Sequence, residues 1–249
     1  MVMNTFLDIP YNEFCALDAY LPPTNGFPIL VYFHGGGFVE GDKKDTAEIA
    51  KSFVRAGYGV VTANYRMYKD GARFPDFLRD GADVVAWVKQ HVAELGGNGE
   101  VYVCGQSAGA WLTVMLCVAG KYLRDVGINP AEIKGWISDS AQMTSHYNML
   151  AKERGENPML QRIDELAPLY YVDEDTAFSK MLLVYYSADI PCRKEQNLLF
   201  YKSVLHFNPH ADITEKELSG RHCAGSCEKD ENGEFPFVKT ALAWLKGEK

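Results

Sequence analysis

Between Val101 and Ala119 the chain reads VYVCGQSAGAWLTVMLCVA, and the fold turns on the middle of this stretch. Val101 to Cys104 is apolar, β-branched and aromatic, the composition of a buried strand. From Ala108 onward the residues are apolar on every side and numerous enough for a fully buried helix. Only Gly105-Gln106-Ser107-Ala108-Gly109 joins the two. A strand that becomes a helix so abruptly forces Ser107 into strained dihedrals, and small neighbours let strand and helix close around it. Such a turn lifts the hydroxyl above the C-terminal edge of the sheet, beside the positive end of the helix. A plain N-cap role accounts for Ser107 but not for both flanking glycines.

Working outward, strand-like runs recur: CALDAYLP, PILVYFH, GVVTANY, EVYVCG, KGWISDS, KMLLVYYSA and DITEKELSG. Helical spacing falls between them, over roughly Asp45–Ala56, Pro75–Leu95, Ala108–Ala119, Arg193–Val204 and Phe235–Lys246. Pro75 suits a first helical turn, and Gly96-Gly97 predicts the stop of that helix. Strands alternating with helices predict an α/β fold: a three-layer α/β/α sandwich around a mostly parallel central sheet. The expectation is one domain over residues 1–249, with residues 141–172 a short cap or covering segment, because a long interval without strand character is often functional.

With 249 residues the chain has room for one large domain, and its 47% apolar content is ordinary for a globular protein. A net charge of −8 with no cluster of Lys and Arg argues against a nucleic-acid partner. The first residues lack a basic n-region, Asp8 interrupts any apolar h-region, and no apolar stretch reaches the roughly 18 residues of a membrane span. The expectation is a cytoplasmic protein with no membrane partner, its six cysteines mostly reduced core residues.

A second stretch, VYFHGGGFVEGDK from Val31 to Lys43, sets a histidine and three glycines after an apolar run. Something approaches that backbone closely. A dinucleotide fingerprint from Gly35 and Gly37 would need its third glycine where Glu40 stands, and a phosphate loop over Gly36 and Gly41 would need a lysine where Asp42 stands. Both phosphate readings fail.

HGGGF followed by GQSAG resembles the α/β-hydrolase fold, specifically its carboxylesterase branch with the HGGG-type oxyanion loop. That branch takes in hormone-sensitive-lipase-like esterases and small bacterial acetyl and feruloyl esterases. The likeness extends through LDAYLPP, NYRMYKDGARFPDFLRDGADVVAWV and APLYYV, in the right order. The resemblance implies that the amides of Gly36, Gly37 and Ala108 form an oxyanion hole, and that His34 braces the loop rather than acting as a base. Larger members carry an N-terminal cap before the glycine loop, and no cap is expected ahead of His34.

The resemblance also implies the chain order Ser, acid, His. His222, between ITEKELS and FPFVKTALAWLK, stands where the base is expected, whereas His206 and His210 precede that strand and read as surface residues. Asp189 at the end of MLLVYYSAD is the favoured acid, with Asp139 in GWISDSA the alternative. Ser107 would attack a carbonyl, His222 would take its proton, and Asp189 would orient the imidazole. No cofactor is implied. His222, Cys223 and Cys227 lie too close in sequence for a good tetrahedral metal set; packing, or a reversible disulfide between the cysteines, is the simpler reading. Arg66 and Asp80 resemble a structural pair. Phe38, Trp111, Met143 and Tyr147 are the residues expected along the substrate pocket. The implied substrate is a small-molecule short-chain acyl ester, an acetylated sugar or phenolic ester among them. An arylformamidase with the same triad and a non-catalytic binding protein on this scaffold are the alternatives.

Overall fold

The computed structural model describes residues 3–248. Its strands are β1 (Asn4–Pro10), β2 (Ala16–Leu21), β3 (Phe27–Phe33), β4 (Gly59–Ala63), β5 (Gly97–Gln106), β6 (Gly135–Asp139), β7 (Met181–Ala188) and β8 (Ile213–Arg221). They form one sheet in the order β1-β2-β4-β3-β5-β6-β7-β8. β1 and β2 run antiparallel at one edge, and every pairing from β4 through β8 is parallel.

The helices are α1 (Ala47–Arg55), α2 (Asp76–His91), α3 (Ala108–Val118), α4 (Lys121–Asp125), α5 (Tyr147–Arg154), α6 (Arg193–Phe207), α7 (Ala224–Cys227) and α8 (Pro236–Leu245). Strand alternation sorts them into two outer layers. Ile29, Val31 and Phe33 of β3 pack with α2, α3 and α6, while Leu30 and Tyr32 point the other way and pack with α1 and α8. The predicted three-layer α/β/α sandwich is what forms. No helix among the described residues is long and apolar enough to cross a membrane.

Two local readings need correction. The sequence gives no strand at NTFLDIP, yet these residues form β1, an edge strand exposed along almost its whole length. The helix expected to run to Leu95 ends at His91; residues 92–96 are turns, and Gly97 already begins β5. Residues 141–172 form no strand, as read, and contain α5 and a short 3-10 turn at Pro168–Tyr171. Trp111 Nε1 donates to Leu166 O at 3.1 Å, and Asn148 Nδ2 donates to Gly37 O at 2.7 Å, tying this segment to α3 and to the glycine loop.

Candidate active site

Ser107 sits between β5 and α3 with φ +54° and ψ −112°, a conformation open to few non-glycine residues. Its amide donates to Asp139 O at 2.8 Å, and its carbonyl accepts from Trp111 N at 2.9 Å. The flanking glycines are required by contact. A Cβ on Gly105 would stand 2.1 Å from Gly109 O, and one on Gly109 would stand 2.2 Å from Phe33 O.

β3 pairs with β5 so that Phe33 lies opposite Gly105, which brings the glycine loop beside the serine. A Cβ on Gly35 would meet Ser107 Cβ at 3.3 Å. Gly36 and Gly37 hold φ of +108° and +62°, and Gly36 O accepts from the amides of Val39 and Glu40. Among the described residues the amides of Gly36, Gly37 and Ala108 have no intramolecular acceptor; for Ala108 this follows from its place in the first helical turn. His34 is buried, stacks on Tyr65 at 4.5 Å and hydrogen-bonds Gly35 O through Nδ1 at 2.6 Å. Burial lowers its pKa and keeps the ring neutral, which fits bracing and not proton transfer.

The ends of β7 and β8 supply the other groups. His222 Nε2 lies 2.8 Å from Ser107 Oγ, and its Nδ1 lies 2.5 Å from Asp189 Oδ1. Burial opposes ionisation of Asp189, but hydrogen bonds from His222, Ser140 and the Ile190 amide together hold its pKa below the ordinary carboxylate value. The structure therefore brings Ser107, His222 and Asp189 together and leaves Asp139 apart. The Asp139 carboxyl, completely buried, accepts from Tyr186 at 2.7 Å and from Ser226, and burial pushes its pKa up to about 7. His206 and His210 are exposed, as expected.

Ser107 and His222 open onto a cleft of about 380 Å³ whose other walls include Glu40, Asp45, Thr46, Gln106 and Cys227. The expected pocket residues need correction. Phe38, Trp111 and Met143 are fully buried and form packing behind the loop, with Phe38 stacked on Phe77 and edge-on to Trp111. Tyr147 alone of the four keeps some exposure, and its hydroxyl lies where a Cβ on Gly37 would approach within 2.6 Å. Their apolar character, read without burial, could not separate wall from core.

Sequence reasoning missed three contributors. Ser140 Oγ donates to Asp189 Oδ2 at 2.5 Å; Asn148 anchors the glycine loop; and Cys227 Sγ accepts from Gln106 Nε2 at 3.0 Å. None belongs to a motif, although Ser140 follows a strand end adjacent to both β5 and β7 and is recoverable from sheet order. All six cysteines are free, Cys223 buried and Cys227 exposed. Among the described residues no group of three His, Cys, Asp or Glu side chains is placed to hold a metal ion. Arg66 grips the buried Asp80 through Nε and Nη2 at 2.9 and 2.7 Å, a structural tie between the end of β4 and α2.

Comparison with known proteins agrees with this architecture. The chain is 32% identical over 119 residues to kynurenine formamidase of Danio rerio, covering 46% of this chain and 39% of that protein. It is 33% identical over 118 residues to esterase LipI of Mycobacterium tuberculosis, covering 45% of this chain and 35% of that protein. These alignments thus span well under half of either relative. Among solved structures, esterase 2 of Thermogutta terrifontis superposes with a TM-score of 0.78 at 18% identity, over 98% of this chain and 94% of that one. Esterase B of Lactobacillus rhamnosis gives 0.79 at 18% identity, over 98% and 84%. At such identities the likeness establishes a common fold, the α/β-hydrolase fold. The family model of BD-FAE matches residues 17–204, three-quarters of the chain, and the chain belongs to the BD-FAE family.

Proposed function

We propose that the protein is a serine-dependent carboxylic ester hydrolase acting on short-chain acyl esters through an acyl-enzyme. The observation that carries this reading is His222, whose Nε2 is within 2.8 Å of Ser107 Oγ while its Nδ1 is held by Asp189. Ser107 attacks the ester carbonyl and His222 takes its proton; Asp189 fixes the imidazole tautomer and stabilises the imidazolium. The developing oxyanion is received by the amides of Gly36, Gly37 and Ala108, each such donor worth about 3 kcal/mol in an acyl-transfer transition state. His222 then hands its proton to the leaving alkoxide, and a water repeats the sequence to release the acid.

The short-chain preference rests on packing. Phe38, Trp111 and Met143 fill the space behind the oxyanion loop, so a long acyl chain meets core where it would need a tunnel. In this reading the chain is a single domain, residues 141–172 cover the glycine loop from behind through Asn148, and the partner is a small-molecule ester in the cytoplasm. The test is hydrolysis of p-nitrophenyl esters from acetate to decanoate, with Ser107→Ala as control. Rates that peak at the shortest acyl groups and vanish in the variant are expected. Flat rates indifferent to the substitution overturn the assignment.

One observation favours a second reading. The similarity to a protein named kynurenine formamidase fits an N-formyl amide hydrolase using the same three residues. Formyl anilides turned over faster than acetate esters, with the same loss in Ser107→Ala, would establish it.

A further inference from the structure

Ser140 belongs to no motif, yet its hydroxyl touches two members of the Ser–His–Asp set. Its Oγ donates to Asp189 Oδ2 at 2.5 Å and lies 2.9 Å from His222 Nδ1. A hydroxyl has one proton and two lone pairs. With the proton committed to the carboxylate, a lone pair faces the Nδ1–H, which Ser140 then shares with Asp189 Oδ1.

The backbone is arranged for this. Ser140 is fully buried at φ +61°, the left-handed region where glycine, asparagine or aspartate sits more easily. It is pinned there by its amide, which donates to Val184 O at 2.8 Å, and by its carbonyl, which accepts from the buried Arg193 Nη1 at 2.5 Å. Glycine has no group to offer in that place. Of the small side chains, a hydroxyl can both donate to a carboxylate and accept from the imidazole.

Resting on the hydrolase reading above, we propose that Ser140 is a positioning residue for this site, holding Asp189 and the Nδ1–H of His222 in register. It keeps the Nε2 lone pair of His222 directed at Ser107 before attack. Once His222 has taken the proton of Ser107, the imidazolium Nδ1–H retains two acceptors. No bond to Ser140 is made or broken.

Steady-state kinetics on p-nitrophenyl acetate, paired with thermal melts, test the assignment in Ser140→Gly. Glycine relieves the positive φ while deleting the hydroxyl, so Tm is expected to hold or rise. kcat is expected to fall about 10- to 100-fold, as for loss of one charge-assisted hydrogen bond, with KM unchanged. Ser140→Ala, which keeps the strained Cβ, gives the same loss in kcat. A kcat within about threefold of wild type, or a loss carried by KM or by a lowered Tm, overturns the proposal. Ser107→Ala runs alongside. If that variant stays active the hydrolase reading falls; if it is dead while Ser140→Gly is not, only the role of Ser140 falls.

Discussion

Two buried aspartates end neighbouring strands, and a pair of isosteric substitutions separates their work. In Asp189→Asn the side chain keeps its size and one acceptor, so the ring of His222 stays near Ser107 but loses its anionic partner. Asp189 Oδ1 is 2.5 Å from Nδ1, which sets the charge centres of carboxylate and imidazolium on the order of 4 Å apart. At the effective dielectric of a partly buried pair, this is an attraction of about 4 kcal/mol, present only once His222 has been protonated. The attraction acts on the transition state and not on bound substrate, so kcat is expected to fall about a thousandfold with KM little changed. Asp139→Asn removes a carboxyl that touches Tyr186 and Ser226 and not the imidazole, and its kcat is expected within about tenfold of wild type. The assay is initial-rate kinetics on p-nitrophenyl acetate at pH 8 for both variants. Equal damage from the two substitutions, or a loss below about tenfold in Asp189→Asn, would refute the assignment of the acid.

Asp139 also governs a pH dependence of stability. Burial raises its pKa from the ordinary 3.8 of a free aspartate to about 7, so between those values the unfolded chain releases a proton that the native state keeps. Stability therefore declines as pH rises through that window, by as much as ~4 kcal/mol; urea melts of Asp139→Asn should show a gain over wild type that is larger at pH 8 than at pH 4, and a pH-independent difference would sink the point. Gly109→Ala sets a Cβ 2.2 Å from Phe33 O and 2.5 Å from His34 O, backbone atoms that cannot swing aside, and should cost about 3 kcal/mol or more by thermal denaturation. Gly37→Ala, at φ +62°, meets only the tips of Tyr147 and Asn148; it should fold but lose kcat at least tenfold as an oxyanion donor shifts, and unaltered kcat would remove Gly37 from that role, a tenfold loss being about 1.4 kcal/mol. With a thiol reagent, exposed Cys192 and Cys227 should react in the native protein, while Cys104, Cys117 and Cys223, whose thiols burial pushes well up, should react only on unfolding.

Where burial is complete, the sequence could be read. β3, residues 101–105 of β5, residues 181–186 of β7 and α3 have to be apolar on both sides, and a run such as ILVYF leaves few other placements. β1 escaped because an exposed edge strand makes no such demand: NTFLDIP pairs with β2 through backbone hydrogen bonds while its side chains, Ile9 apart, are exposed. The end of α2 was misplaced for a related reason. Val92 and Leu95 continue the helical spacing and do pack against the core, but Gly96 O is claimed by Gly26 N at 2.7 Å and the chain must turn to enter β5. α5 lacks an apolar stripe altogether; it is delimited by His146 capping its first turn and by Gly155 in the left-handed region at its end.

The same distinction runs through the site. Ser107 was legible because the strain and the close approach that define its turn are local and leave small residues in the string. Asp189 was favoured over Asp139 only through the resemblance, since both stand at the end of a parallel strand and the string does not show which carboxyl reaches His222. Sheet geometry decides it. β6 lies directly between β5 and β7, so the last residues of β6 are the ones nearest Ser107 and nearest the acid. Asp139 gives its carbonyl to the Ser107 amide and turns its carboxyl toward Tyr186 and Ser226, beneath the loop that carries His222. The next residue points elsewhere, and it is Ser140 whose side chain reaches Asp189 and His222. A strand end can offer the imidazole only one of two successive side chains. Here β6 offers a hydroxyl, which leaves the carboxylate to come from β7 and makes the second strand's contribution one of support.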